Sequence, residues 1–185
     1  MKCVVTGGAG FIGSHLVDRL LGLGAEVTVL DNFSTGRREN LDHVDGQIRV
    51  VDCELGTPGM WAREFEGTGW VFHLAALADI VPSIQKPEAY FSANVVGTFN
   101  VLQASQMASV DRFVYVASSS SYGIPDKYPT LETADIRPQY PRMEVSTGRF
   151  ICPGKQHHFT CQRVWQTGSG PDSEIKKCIT YPIVG

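Results

Sequence analysis

A glycine-rich turn lies between a short β-rich run, Lys2 to Thr6, and a stretch of apolar residues at helical spacing. It reads Thr6-Gly7-Gly8-Ala9-Gly10-Phe11-Ile12-Gly13. A tight strand-to-helix turn needs glycine at its start, Gly7. Close approach of the backbone to a pyrophosphate forbids a Cβ at the middle glycine, Gly10, and Gly13 lets the helix lie against the strand. The freed N–H groups and the positive end of the helix then face an anion. Phe11, Ile12, Leu16, Leu20 and Leu23 continue the helical spacing.

The turn opens a series of alternating elements. Glu26 to Leu30, Gln47 to Val51, Gly69 to Leu74 and Arg112 to Ala117 read as further strands, and Pro87 to Met107 as a long helix. Strands separated by helices imply a parallel sheet covered on both faces. With right-handed crossovers the fold expected for residues 1–141 is α/β, a Rossmann-like doubly wound parallel sheet. Asp31 ends the second strand, eighteen residues after Gly13. A carboxylate there accepts hydrogen bonds from a ribose 2′-OH and repels a 2′-phosphate, which favours NAD over NADP, while Arg37 and Arg38 nearby temper that preference. Asp52 ends the third strand, where it either meets an adenine edge or is simply solvated.

Composition excludes several classes. The 185 residues carry a net charge of −3, without the basic footprint of a nucleic-acid or anionic-membrane binder. No apolar run approaches the roughly 18 to 20 residues that span a bilayer, and the first residues lack the apolar core of a signal peptide. Five irregularly spaced cysteines form no disulfide framework, so a cytoplasmic location is expected. Cys152, His157, His158 and Cys161 match no common zinc-finger spacing, and no metal site is expected. Trp61, Trp70 and Trp165 read as packing residues.

Residues 142–185 differ. Before Arg142 there are ten Lys/Arg against sixteen Asp/Glu, a charge of −6; from Arg142 onward there are six against three, a charge of +3. This tail shows no sustained period, only a candidate short strand near Ile179 to Val184. It is expected to be a loop-rich extension.

As a set, Thr6 to Gly13, Asp31-Asn32-Phe33-Ser34-Thr35-Gly36, His73-Leu74-Ala75-Ala76, Asn94-Val95-Val96-Gly97-Thr98 and Ser118-Ser119-Ser120-Ser121-Tyr122-Gly123 are very specific. Over residues 1–141 the chain resembles the extended short-chain dehydrogenases/reductases, and within them the NAD-dependent nucleotide-sugar epimerases of the UDP-glucose 4-epimerase type. The resemblance implies that Gly7, Gly10, Phe11, Ile12 and Gly13 bind the cofactor pyrophosphate. Asp31, Asn32, Ser34 and Gly36 would hold the adenosine ribose, and Asp52 and Cys53 would flank adenine. Leu74, Ala75 and Ala76 would line the cofactor, with Asn94 as a buttress and His73 in a structural role.

It further implies a UDP-hexose substrate, with Ser118 as the catalytic hydroxyl on the sugar 4-oxygen and Ser119 and Ser120 as its neighbours. Ser83, in an Ala78 to Ser83 loop, would touch the sugar. The long helix would pair with its copy in a homodimer. Relatives that dehydrate or decarboxylate sugars carry an acidic residue just after the catalytic hydroxyl. Ser119 and Ser120 in those slots favour the epimerases.

The resemblance ends at Pro141. The family's Tyr-x-x-x-Lys would follow Pro138-Gln139-Tyr140-Pro141, but its tyrosine slot holds Arg142 and its lysine slot Ser146. Arginine stays protonated and cannot act as the base. Tyr140 has Glu144 four residues on, and Tyr122 and Lys127 belong to the preceding loop. The chain is therefore expected either to be a weak or inactive epimerase or to hold NAD without chemistry.

Overall fold

A computed structural model describes residues 1–117, 122, 124, 126, 128–131 and 134, together with the backbone of 165–166. Five parallel strands form the sheet: β1 (Lys2–Thr6), β2 (Glu26–Asp31), β3 (Arg49–Asp52), β4 (Trp70–His73) and β5 (Arg112–Tyr115). Their spatial order is β3-β2-β1-β4-β5. A two-residue strand, β6 (Trp165–Gln166), adds antiparallel to β5, with Phe113 opposite Trp165. The doubly wound reading therefore holds, with the crossover point beside β1.

Alternation along β1 explains why the sheet is buried on both sides. Cys3 and Val5 face one way and pack with Val17 and Leu20 of helix α1 (Phe11–Gly22) and with Val27 and Val29 of β2. Val4 faces the other way, against Val71, Phe65, Trp61 and Val101 of helix α4 (Gly97–Met107). On α1 the packed stripe is Gly13, Val17 and Leu20, with Leu16 half-buried. Phe11, Ile12 and Leu23 of the predicted repeat are exposed. The turn rotates the helix so that its smallest residue, not its first apolar ones, meets the sheet.

Two connections are not the helices that strict alternation predicts. Two short 3₁₀ turns, Arg38–Asn40 and Asp42–Val44, join β2 to β3, and another, Met60–Phe65, leads toward β4. The last places Trp61 and Phe65 four residues apart on the second sheet face, doing the covering work of a full helix. The long predicted helix is a continuous run of α3 (Pro87–Phe91), a π-helical turn (Ser92–Val96) and α4. The expected Ala78 to Ser83 loop instead becomes helix α2 (Ile80–Gln85).

Trp61 is buried, and half-buried Trp70 carries the Arg112 guanidinium 4.3 Å above its ring. The side chain of Trp165, the candidate strand at 179–184, Ser118 to Ser120, Arg142, Ser146 and the tail cysteines and histidines lie outside the described residues. Among the described residues, no helix is long and apolar enough to cross a membrane.

Candidate functional site

The carboxyl ends of β1, β2, β3 and β4 meet at one rim, because the four strands run parallel and in register: Thr6 beside Leu30 and His73, Asp31 beside Asp52. The turn after β1 sits at that rim. Gly7 has φ +71°, and a Cβ there would stand 2.7 Å from the Ala75 backbone nitrogen. A Cβ on Gly13 would overlap the Gly7 carbonyl oxygen. Gly7 is thus required by its left-handed backbone and by the β4 loop beside it, and Gly13 by the contact of helix with turn. At Gly10 a Cβ would meet only the Gly7 carbonyl oxygen, at 3.2 Å.

Helix α1 begins with no side-chain cap and no acidic residue in its first turn. Its leading amides and dipole therefore remain available to an anion. Phe11 and Ile12 lie on this first turn with exposed side chains, 79% and 64% accessible. Sequence reading passed over Gly8, yet a Cβ there would stand 2.7 Å from Val29 Cγ1. The run of two glycines was the available signal.

Asp31 is nearly fully buried and ties two loops to its strand. Ala9 N donates to Oδ2 at 2.9 Å, and Phe33 N donates to Oδ1 at 2.8 Å. A carboxylate has about four acceptor sites, so each oxygen keeps capacity for a further donor such as a ribose hydroxyl. Gly36 passes so close that a Cβ would stand 3.0 Å from both Ala9 and Asp31 Oδ1. Arg37 N and Asn40 Nδ2 both donate to the Ala9 carbonyl, at 3.0 and 2.8 Å. Asn40 was not anticipated, because its partner is a backbone atom that is distant in sequence.

Asn32 donates to Glu54 Oε2 at 2.8 Å and accepts from Ser34 N at 3.1 Å, bracing the loop at its exposed edge. Asp52 pairs with Arg38 at 2.7 Å, and the Arg38 guanidinium lies 3.9 Å above the Phe33 ring. Arg38 is therefore already engaged. Half-buried Cys53 has its thiol pushed up to about 12, chiefly by burial and then by Asp52, Glu54, Asp31 and Glu64. It is a neutral, apolar wall at neutral pH.

The β4 side is held by a buried polar chain. His73 is 1% exposed, with Nδ1 2.6 Å from Thr6 Oγ1 and Nε2 2.9 Å from Thr98 Oγ1. Thr98 Oγ1 in turn donates to the Asn94 carbonyl at 2.7 Å, so it must accept from His73 Nε2–H. Nδ1 then accepts from Thr6, whose oxygen receives the Ala75 amide at 3.4 Å. Burial lowers the imidazole pKa to about 4, which keeps it neutral.

Leu74 N donates to the Thr6 carbonyl at 3.0 Å, while Ala75 is half-buried and Ala76 exposed. Asn94, in the π-helical turn, makes a two-way clamp: Leu77 N donates to Oδ1 at 2.8 Å, and Nδ2 donates to the Leu77 carbonyl at 2.9 Å. Single π turns recur where a helix must aim a side chain at a site. Ser83, buried on α2, donates its hydroxyl proton to the Ile80 carbonyl at 2.6 Å. Among the described residues, no group of three or more His, Cys, Asp or Glu is placed to hold a metal.

The arrangement gathers a glycine-rich turn, an uncapped helix N-terminus and a carboxylate with unused acceptor capacity at one rim of the sheet. Comparison with known proteins accords with this. The model of the NAD dependent epimerase/dehydratase family matches residues 3–144. UDP-glucose 4-epimerase of Mycolicibacterium smegmatis is 40% identical over 149 residues, 76% of this chain and 46% of that protein. UDP-glucuronic acid decarboxylase 1 of Arabidopsis thaliana is 41% identical over 135 residues, 72% of this chain and 30% of that protein. The solved UDP-glucose 4-epimerase of Thermus thermophilus in complex with NAD aligns with a TM-score of 0.65 at 35% identity, covering 79% of this chain and 47% of that one. The chain spans less than half the length of these relatives. Motif, sheet order and comparison agree that it belongs to the NAD-dependent epimerase/dehydratase family.

Proposed function

We propose that this chain holds NAD in the crevice between the β1 turn, the β2 loop and the β4 loop, and that its ancestry is UDP-hexose C4 epimerisation. Gly7, Gly10, Phe11, Ile12 and Gly13 would receive the pyrophosphate on backbone amides. Asp31, Asn32, Ser34 and Gly36 would hold the adenosine ribose, and Asp52 and Cys53 would flank adenine. Leu74, Ala75 and Ala76 would line the cofactor by backbone contact, with Asn94 buttressing the site. The observation that carries this reading is Asp31: each oxygen holds a loop amide, and each keeps acceptor capacity for a ribose hydroxyl. The Asp31 carboxylate at the end of β2 favours NAD over NADP.

NAD supplies reversible hydride acceptance at a sugar carbon. The sugar hydroxyl must lose its proton to a base in the same step. Ser118 is proposed to steady that oxygen, with Ser119, Ser120 and Ser83 beside the sugar. No base follows at the expected place, since Arg142 remains protonated. Binding with little or no turnover is the expected behaviour. A decarboxylase ancestry is the second reading, favoured by the 41% identity to the plant enzyme. Ser119 and Ser120, where an acid would be needed, weigh against it.

The test is calorimetric titration of the full chain with NADH, followed by assay of UDP-glucose/UDP-galactose interconversion on the same sample. Binding without interconversion supports the proposal. Interconversion shows that another base serves, and no binding rejects the proposal.

A further inference from the structure

The buried chain Thr6–His73–Thr98 links by side-chain hydrogen bonds three segments that also meet through the β1–β4 strand pairing and the packing of Val4, Val71 and Val101. Thr6 is the last residue of β1, immediately before Gly7. His73 is the last residue of β4, immediately before the loop Leu74 to Ala76. Thr98 stands in the first turn of α4, one helical turn after Asn94. Each proton in the chain has one destination: Thr98 to the Asn94 carbonyl, His73 Nε2–H to Thr98, Thr6 to His73 Nδ1. The remaining Thr6 lone pair receives the Ala75 amide. The same loop lies where a Gly7 Cβ would strike it, at 2.7 Å from Ala75 N. The chain of hydrogen bonds therefore adds to the β1–β4 strand pairing in holding the β1 turn and the β4 loop at a fixed spacing. Its far end lies in the first turn of α4.

We propose that His73 and Thr98 are positioning residues for dinucleotide binding: the Nε2–H tautomer of His73, fixed by Thr98, holds the β1 turn and the β4 loop at the separation that the ligand needs. This rests on the reading that the crevice binds NAD. A neutral imidazole is the one side chain that donates from one ring edge and accepts at the other, which is what two facing threonines require. Removing the Thr98 hydroxyl leaves Nε2 without its partner in a buried site, so the ring must change tautomer or shift, and either change breaks its hydrogen bond from Thr6 and loosens the hold on the β1 turn and the β4 loop. Coupling is reciprocal, so a ligand that prefers the fixed spacing must also stabilise the hydrogen-bonded chain.

The experiment compares NADH affinity of the full wild-type chain with Thr98→Val, which keeps shape and loses the hydroxyl, and Thr98→Ser, which keeps the hydroxyl. Circular dichroism and melting check that each is folded. Thr98→Val is expected to bind about tenfold more weakly, and Thr98→Ser within about twofold of wild type. Equal affinity in wild type and Thr98→Val overturns the inference, as does an equal loss in both variants, which would mark simple packing. A second measurement needs no variant. In the wild type, nitrogen-15 spectra should show the Nε2–H tautomer of His73, and NADH should slow exchange of that proton with solvent. The other tautomer, or exchange indifferent to bound NADH, overturns it. Failure of the wild type to bind NADH removes the underlying reading and this inference with it.

Discussion

Acidification should weaken this domain at His73. His73 is buried among Thr6, Thr98 and the rings of Phe113 and Tyr115, whose centroids lie 6.1 and 5.7 Å from its own. Burial brings its pKa down to about 4, whereas an unfolded histidine titrates near 6.5. Between these values the unfolded chain takes up a proton that the folded chain refuses. The stability contribution is therefore complete above about pH 6.5 and is lost as the pH falls toward 4. Two and a half units at 1.36 kcal/mol each give about 3 kcal/mol in total, of which about 2 kcal/mol is already gone at pH 5.

Urea unfolding of wild type and His73→Gln at pH 7.5 and pH 5 isolates this contribution, because both chains share every other titrating group. The wild-type advantage in midpoint should shrink by about 1 M between the two pH values, for a slope near 2 kcal/mol per molar. A gap that stays constant, or widens in acid, refutes the argument. So would a nuclear magnetic resonance titration showing that His73 protonates near pH 6.5 in the folded chain.

Other consequences follow from single contacts. Gly13→Ala should cost about 1–3 kcal/mol, seen as a lower melting temperature, since its methyl would displace the Gly7 carbonyl. Phe65→Ala, at a fully buried position, should cost about 3–5 kcal/mol by the same measurement. Cys53 should resist iodoacetamide at pH 8 while the chain is folded and react once it is denatured. With its pKa near 12, only about one molecule in ten thousand carries the thiolate; mass spectrometry of the labelled peptides reads this out. NADPH should bind about tenfold more weakly than NADH in calorimetry, because Asp31 repels a 2′-phosphate.

Much of this was legible from the residues alone, for local reasons. Strands such as Lys2 to Thr6 read correctly because both their faces are buried, which leaves an unbroken apolar run. The turn read correctly because its backbone geometry excludes side chains, and glycine is the only residue that satisfies that. What escaped notice depends on partners distant in the chain. The engagement of Arg38 needed the β2–β3 register that brings Asp52 near. The His73 chain needed Thr6 and Thr98, which lie 67 and 25 residues away. Helix α2 escaped because its six residues are too few to show a helical period, and its Ile80, Val81 and Ile84 are exposed rather than packed on the core. Phe11 and Ile12 share the spacing of core residues, and only the docking of α1 through Gly13 shows that they are not core.

The central claim is that one crevice, built from the β1 turn and the loops after β2 and β4, receives the dinucleotide. Hydrogen exchange of the full chain with and without saturating NADH tests it residue by residue. The account predicts slower exchange in residues 7–14, 31–38 and 73–77, with α1 beyond its first turns unchanged. Protection confined to other segments, or none at saturating NADH, would contradict it.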